Sequence, residues 1–156
     1  MSLNSITPPG DAAVAVDKAT SIPRHFDAVV VGAGIAGLYM LKRLRDIGVT
    51  ARVVERGGGV GGAWYWNTWP GARTDSESWY YCYSFSPELL EEWDWKERYA
   101  SQPEMRAYLE HVAAKFDLYR DGAFRTDIAS AIYDVVSTQS NHVLSMRSQP
   151  GDGQLS

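Results

Sequence analysis

A glycine turn at the end of an apolar segment constrains this chain most. Residues 29–31 are three valines, and they run directly into the pattern Gly-x-Gly-x-x-Gly at Gly32, Gly34 and Gly37. In a strand-turn-helix unit the first glycine permits a tight reversal and the second lets the backbone approach a pyrophosphate, while the third allows close helix packing. The phosphates then lie at the helix N-terminus, where unpaired N–H groups attract anions. The pattern therefore predicts a nucleotide phosphate site.

The residues around this turn predict a β-α-β unit over 26–55. Residues 26–31 form an almost continuous apolar run, which is typical of a strand buried on both faces of a parallel sheet. The apolar residues that follow at helical spacing are Leu38, Leu41, Leu44 and Ile47. Gly48 is placed to end that helix, and residues 51–55 predict the second strand.

Glu55 ends the second predicted strand, about 20 residues beyond the glycine turn, where an acid accepts hydrogen bonds from the ribose hydroxyls of an adenine dinucleotide. The alternative is a plain parallel sheet in which the glycines serve packing and Glu55 is solvated. Because strand, turn, helix and acid follow one another in register, we favour the dinucleotide site. The predicted fold is α/β, a Rossmann-like dinucleotide-binding fold with a parallel sheet.

Composition limits the class of protein further. The chain has 156 residues, of which 45% are hydrophobic and 22% charged, and this indicates one globular domain or a piece of one. The net charge of −4 and the scattered lysines and arginines argue against a nucleic-acid partner. No apolar run is long enough for a signal peptide or a bilayer span, so we expect no membrane association and a cytoplasmic location. Residues 1–24 lack usable periodicity and are expected to form a flexible leader, and residues 25–156 to form the domain or the piece of one.

The residues that most often bind metals are isolated in this sequence. Cys82 is the only cysteine, so the chain offers no internal disulfide or sulfur-based metal site. The three histidines are His25, His111 and His142, and none has a second histidine at ligand spacing. His111 is predicted to be solvated. We therefore expect no metal.

An aromatic segment over residues 57–100 distinguishes the chain from a nicotinamide-only domain. A second glycine run, 57–62, is followed closely by Trp64, and all six tryptophans fall between Trp64 and Trp95. Gly62 again lets the backbone approach a bound group, and the rings that follow suit the wall of a flat heterocycle such as flavin. This concentration predicts a largely buried region, in which Trp93 and Trp95 serve packing.

The same segment carries a family resemblance. Gly61-Gly62-Ala63-Trp64, then Trp69-Pro70-Gly71 after four residues and Asp75 after three more, resembles the N-terminal fingerprint of Baeyer-Villiger monooxygenases. The resemblance extends from about residue 26 to residue 134. Two positions depart from the family: Trp69 stands where Phe or Tyr is usual, and Thr74 stands where Cys is frequent.

The resemblance implies a flavoprotein that uses FAD, NADPH and O2. In that family NADPH reduces FAD, and a flavin C4a-peroxide converts ketones to esters or lactones. It further implies that this chain supplies only the N-terminal FAD-binding part. The arginine that works with the catalytic carboxylate and the NADPH-binding turn would come from later in a full-length protein, so we expect the chain alone not to oxidise ketones.

Two alternatives stay open beside this interpretation. One is a related flavin monooxygenase that oxygenates nitrogen or sulfur, although the spacing from Trp69-Pro70-Gly71 to Asp75 argues against it. The other is a non-catalytic dinucleotide-binding module. The ketone and the oligomeric state cannot be inferred from the sequence.

Site residues follow from the resemblance position by position. It assigns the FAD pyrophosphate to Gly32, Gly34 and Gly37 and the ribose to Glu55. The residues implied near the flavin are Trp64, Asp75 and Tyr81, and Gly62 and Ala63 are further cofactor-binding candidates. Arg73 and Asp75 would approach the nicotinamide, Asp75 is the catalytic candidate, and the backbone of Ile128 would meet the adenine. Without the resemblance, Asp75 reads equally well as a loop carboxylate that bonds nearby backbone.

The rest of the chain predicts packing elements. Residues 102–117 form a helix that opens with a capping box between Ser101 and Glu104. Its apolar stripe consists of Met105, Tyr108, Leu109, Val112, Ala113 and Phe116. Short strands are predicted within 124–147, with a turn over 134–141. Residues 148–156 lack the apolar strand that the family has there, which predicts an incomplete sheet.

Overall fold

The computed structural model describes residues 25–134 and 141–148. Its strands and helices, in chain order, are β1 Ala28–Val31, α1 Ile35–Asp46, β2 Ala51–Val54, α2 Ala63–Trp66, α3 Pro87–Glu92, α4 Gln102–Lys115, β3 Gly122–Ala123, β4 Thr126–Asp134 and β5 Asn141–Ser148. Single 3-10 turns occupy Ser78–Tyr81 and Leu118–Asp121. No helix among these residues is long and apolar enough to cross a bilayer.

A parallel sheet with the strand order β1-β2-β3 confirms the predicted α/β class. Ala28 lies opposite Ala51, and Val54 lies opposite Ala123. The first strand starts two residues later than predicted, and the second ends at Val54, so Glu55 is the first residue beyond it. β3 was not predicted, because two small residues carry no alternating or β-branched pattern.

The prediction that the first strand is buried on both faces is wrong. Ala28 to Val30 are half-buried and Val31 is 73% exposed. β1 pairs only with β2 among the described strands, and Val31 opens onto a cavity at the carboxyl end of the sheet. An edge strand buries less of each face than a central one.

Helix α1 covers the sheet through Leu38 and Leu41, which are buried as predicted. Gly48, with φ +77°, donates to the carbonyl of Arg45, and the next N–H, that of Val49, donates to the carbonyl of Leu44. This Schellman arrangement confirms Gly48 as the helix stop. Ile47 is 70% exposed, so its place in the apolar stripe was wrong: it caps the helix instead of belonging to it.

Helix α4 provides the other half of the core. Its predicted stripe is buried from Met105 to Ala113, and Phe116 is half-buried just beyond the last helical residue. The predicted capping box is wrong, because Glu104 Oε1 accepts from the N–H of Lys96 at 2.7 Å and the Ser101 side chain makes no cap bond. The backbone at Ser101 instead pairs with Arg73 in an antiparallel bridge.

The tryptophans other than Trp64 divide into two groups. Trp93 and Trp95 pack on Tyr108, with ring centroids at 5.3 and 5.1 Å, which confirms their packing role. The Trp95 Nε1–H also donates to Cys82 Sγ at 2.9 Å. Trp66, Trp69 and Trp79 are at least half exposed, so the expectation of a largely buried region is wrong for them. They lie in or beside single helical turns, which can bury only one side.

Strands β4 and β5 form a separate antiparallel hairpin, with Thr126 opposite Ser148 and Asp134 opposite Asn141. Both strands were predicted, with slightly different ends. A bulge shifts the register between Ile128 and Ser130. The predicted leader, the tip of the hairpin turn and the missing strand after residue 148 lie outside the described residues.

Candidate functional site

The first glycine turn lies between β1 and α1 and is fixed by close backbone contacts. Gly32 has φ +92°, and its N–H donates to the carbonyl of Val54 at 2.8 Å, which ties the turn to the end of β2. A Cβ on Gly37 would stand 1.9 Å from the carbonyl oxygen of Gly32. The third glycine therefore allows the helix to pack on the turn, as the pattern predicted.

The N-terminus of α1 is free of side-chain caps. Gly34 is the N-cap, no side chain accepts from the first turn, and that turn contains no acid. The first N–H groups of a helix have no partner within the helix, and together with the helix dipole they favour an anion. A cavity of about 340 Å³ adjoins this end and is lined by Ile35, Ala36 and residues 80–84. The phosphate role of the turn remains a prediction.

Glu55 is buried and binds backbone on both sides. It is 6% exposed, its Oε2 accepts from the N–H of Ala33 at 2.8 Å, and its Oε1 accepts from the N–H of Gly57 at 2.6 Å. The alternative of a solvated acid is therefore wrong. A carboxylate has about four acceptor positions, so two of these remain for a further donor such as a ribose hydroxyl.

Three predicted site residues line one cavity of about 220 Å³. Gly32, Glu55 and Ile128 face it together with Arg56 and Trp66. The guanidinium of Arg56 lies over the indole ring of Trp66 at 5.3 Å. The cavity lies where β1 and β2 end, and in open α/β sheets ligands bind outside the carboxyl ends of the strands.

The second glycine run packs against the first turn. Gly62 has φ +55°, and a Cβ placed on it would stand 2.8 Å from the Cα of Gly34. Beside this contact the N–H of Gly61 donates to the carbonyl of Ala33 at 3.0 Å. The sequence pattern did not reveal that the two glycines face each other, because spacing along the chain carries no information about such a contact. Whether either one also approaches a ligand remains a prediction.

Three residues predicted near the flavin contact one another in a row. The ring of Trp64 meets Tyr81 edge-on at 6.1 Å, and the Tyr81 hydroxyl donates to Asp75 Oδ1 at 3.1 Å. Ala63 begins the one-turn helix α2, which presents Trp64 to this row. Tyr81 also lines the 340 Å³ cavity beside α1. The structure thus brings Trp64, Tyr81 and Asp75 together, although they lie up to 17 positions apart along the sequence.

Arg73 makes a different set of contacts. Its guanidinium pairs with Glu97 and donates to the carbonyl of Tyr99 at 3.1 Å, and its side chain is 45% exposed. Exposed ion pairs contribute about 0 to 1 kcal/mol, so this pair would cost little to rearrange. An approach of Arg73 to a nicotinamide remains a prediction and would require leaving Glu97.

Thr74, which departs from the family pattern, has a buried hydroxyl. The residue is 5% exposed, and its Oγ1 has no hydrogen-bond partner among the described residues. A buried hydroxyl without a partner costs about 1 to 3 kcal/mol.

We expect Thr74→Val, which keeps the shape, to raise the free energy of unfolding by about 1 kcal/mol in urea titrations. Thr74→Ser, which keeps the hydroxyl and removes a methyl group, should lower the free energy of unfolding. A Thr74→Val chain that is less stable than the parent would contradict the absence of a hydrogen-bond partner for the Thr74 hydroxyl.

Metal-binding side chains do not converge anywhere in the described part of the chain, where no group of three His, Cys, Asp or Glu is close enough to hold an ion. His111 is partly solvated, with 37% of its side chain exposed; its ring packs on Trp93 at 5.5 Å, and its Nε2 lies 3.4 Å from Glu92.

The sequence and the fold are similar to those of known proteins. Residues 30–92 match the family described as NAD(P)-binding Rossmann-like domain. A phenazine N-monooxygenase from Lysobacter antibioticus is 45% identical over 129 residues, which are 82% of this chain and 23% of that protein. The solved structure of oxidised steroid monooxygenase bound to NADP is 61% identical, with a TM-score of 0.69, over 70% of this chain and 21% of the other. OTEMO in complex with FAD and NADP gives a TM-score of 0.73 at 35% identity, over 80% of this chain and 23% of the other.

The fold is that of an NAD(P)-binding Rossmann-like domain, of which the described residues form a partial, three-stranded parallel sheet. Its homologues are Baeyer-Villiger and related flavin-dependent monooxygenases, which confirms the resemblance drawn from the fingerprint. The chain spans about a fifth of the length of these relatives.

Proposed function

We propose that this chain is the FAD-binding part of an NADPH- and O2-dependent Baeyer-Villiger monooxygenase that converts ketones to esters or lactones. The observation that carries the proposal is the position of Glu55, which is buried beside the glycine turn and faces the same cavity as Gly32 and Ile128. An acid at the end of β2 that faces such a cavity is suited to the ribose of an adenine dinucleotide.

The two cavities and the helix end suit an elongated ligand. The 220 Å³ cavity would receive the adenosine, with Glu55 at the ribose and the backbone of Ile128 at the adenine. The uncapped N-terminus of α1 would receive the pyrophosphate at Gly32, Gly34 and Gly37. The flavin would then extend towards Gly62, Ala63 and the row of Trp64, Tyr81 and Asp75. Relatives bound to FAD and NADP support this choice of cofactors.

Bound FAD, once reduced by NADPH, would supply the activation of oxygen. This chain would supply position and polarity. The Tyr81 hydroxyl holds one oxygen of Asp75, which leaves the other oxygen to accept from a flavin-site or nicotinamide donor. Trp64 packs on the same tyrosine and thereby fixes the ring that carries this hydroxyl. Arg73 would join the nicotinamide side after release from Glu97.

The ketone and O2 belong to the activity of a complete protein. The relatives are about five times as long as the part that this chain matches. We therefore propose that the chain by itself does not oxidise ketones. Turnover of any ketone by the purified chain with FAD and NADPH would refute this part of the proposal.

The absorption spectrum of the purified chain, after incubation with FAD and removal of free ligand, tests the binding function. We expect flavin bands between 350 and 500 nm in the parent chain and at least about tenfold weaker FAD affinity in Glu55→Gln, because an amide presents N–H where the carboxylate accepted one. Glu91→Gln, at an exposed position, is the matched control. A folded parent chain without flavin bands would refute FAD binding.

Nitrogen oxygenation is the second candidate, and the similarity to a phenazine N-monooxygenase favours it. Product analysis separates the two reactions in a longer protein that contains this sequence: an ester from a ketone supports the first, and an N-oxide from an aromatic nitrogen heterocycle supports the second. FAD binding without either product would favour a non-catalytic dinucleotide-binding module.

A further inference from the structure

The ring of Tyr65 lies inside the second glycine run. A Cβ on Gly57 would stand 2.9 Å from Tyr65 Cε1, one on Gly58 would stand 3.1 Å from the Tyr65 hydroxyl oxygen, and one on Gly59 would stand 3.4 Å from Cε2. A Cβ on Gly61 would stand 3.0 Å from the Tyr65 backbone nitrogen. Four glycines therefore lie against Tyr65. Side chains at most of these positions would be too close to the ring or the backbone of Tyr65.

Polar contacts hold this ring in place. The Tyr65 hydroxyl oxygen accepts from the N–H of Gly58 at 3.0 Å. The guanidinium of Arg106, from helix α4, lies 4.9 Å from the ring centroid, and Trp66 meets the ring edge-on at 5.0 Å. Tyr65 thus connects the glycine run to helix α4 through Arg106.

The contacts at the two ends of the glycine run show what the position of Tyr65 can affect. Val60 is buried in the core, the N–H of Gly61 donates to the first glycine turn, and Gly62 packs on Gly34. At the near end, Gly57 donates to Glu55. Tyr65 contacts the middle of the run, beside the guanidinium of Arg125 near Gly58, and a run rich in glycine is costly to order without such contacts.

We propose that Tyr65 is a positioning residue for the dinucleotide site. It holds residues 57–61 in the conformation that closes Gly62 on Gly34 and presents the Gly57 N–H to Glu55. The proposal rests on the proposed FAD function and concerns a residue that does not itself line the 220 Å³ cavity. Without the Tyr65 ring, a smaller fraction of the molecules would hold residues 57–61 in this conformation. The apparent affinity for the dinucleotide would fall in proportion to that fraction.

FAD titrations and amide hydrogen exchange test this role. Tyr65→Phe keeps the ring and loses the acceptor, so we expect about fivefold weaker FAD binding, and Tyr65→Leu should weaken it at least about tenfold. Faster amide exchange in residues 57–62, with unchanged exchange in α4, would accompany both losses. Tyr99→Leu is the matched control, since Tyr99 also has an arginine over its ring but is half exposed and should leave both measurements unchanged.

The two readouts separate this inference from the function on which it rests. A parent chain that does not bind FAD would refute the proposed function, and the exchange rates of residues 57–62 would still decide the positioning role. Parent-like affinity and parent-like exchange in Tyr65→Leu would overturn that role. If Tyr65→Leu does not fold, Tyr65→Phe decides it: unchanged exchange at Gly58 overturns the role, and faster exchange confined to the run supports it.

Discussion

Gly37→Ala is expected to destabilise the chain by about 3 kcal/mol or more, because the added methyl group would overlap the carbonyl oxygen of Gly32 at 1.9 Å. Helix propensity alone predicts the opposite sign, since alanine is favoured over glycine inside a helix by about 1 kcal/mol. Relief of the overlap requires α1 to move away from the turn, which would also displace Leu38 and Leu41 from the core. FAD binding should be lost together with stability.

Urea unfolding followed by circular dichroism measures this effect. Gly48→Ala is the matched control, because Gly48 has φ +77° and open space around it. Only the backbone conformation opposes that substitution, at a cost of about 1 to 2 kcal/mol. Equal stability of Gly37→Ala and the parent chain would show that the helix does not pack on the turn as described.

Alkaline pH should unfold the chain through two buried tyrosines. Burial raises the pKa of Tyr108 to about 12, and burial also raises the pKa of Tyr83 well above its usual value. In the unfolded chain both ionise near pH 10. Stability is therefore complete below about pH 10 and falls as the pH rises towards 12, because only the unfolded state releases the protons. Each tyrosine contributes a loss of about 1.4 kcal/mol per pH unit in that range.

Urea midpoints at several pH values, with tyrosinate absorbance at 295 nm, measure this loss. Tyr108→Phe removes one of these groups, so stability should fall less steeply with rising pH than in the parent chain. The variant also loses the hydrogen bond that Tyr108 accepts from the N–H of Tyr83, which lowers its stability at every pH without changing the slope. An unchanged slope would contradict the buried, neutral state of Tyr108.

Elements with a strong local pattern were predictable from the sequence. The glycine turn, the stop of α1 at Gly48 and the stripe of α4 each depend on residues that are neighbours along the chain. Strand β3 was missed because its pairing with β2 is set by tertiary position and not by its two small residues. The predicted capping box at Ser101 was wrong for a similar reason, because the carboxylate of Glu104 accepts from the backbone N–H of Lys96 instead.

In the candidate site, too, the residue types were predictable from the sequence, whereas most contacts between them were not. The residue types at Glu55 and Asp75 were indicated by spacing and by the fingerprint, and the structure brings Asp75 to Tyr81. The partners of Glu55 were not predictable, because both are backbone N–H groups, which every residue other than proline possesses. The contact of Tyr65 with the glycine run was not predictable either, because a run of glycines indicates close approach without saying whether a ligand or a side chain of the chain itself approaches.

The contact between Gly34 and Gly62 limits how cofactor preference could be redesigned in this fold. Even a single methyl group on Gly62 would stand 2.8 Å from the Cα of Gly34, so neither position offers room for a new side chain. Side chains at either glycine are therefore expected to disturb the packing of the two turns on each other. Arg56 faces the 220 Å³ cavity without taking part in this contact, and it is a position at which sequence diversity would reach a ligand bound there and spare the contact between the two glycines.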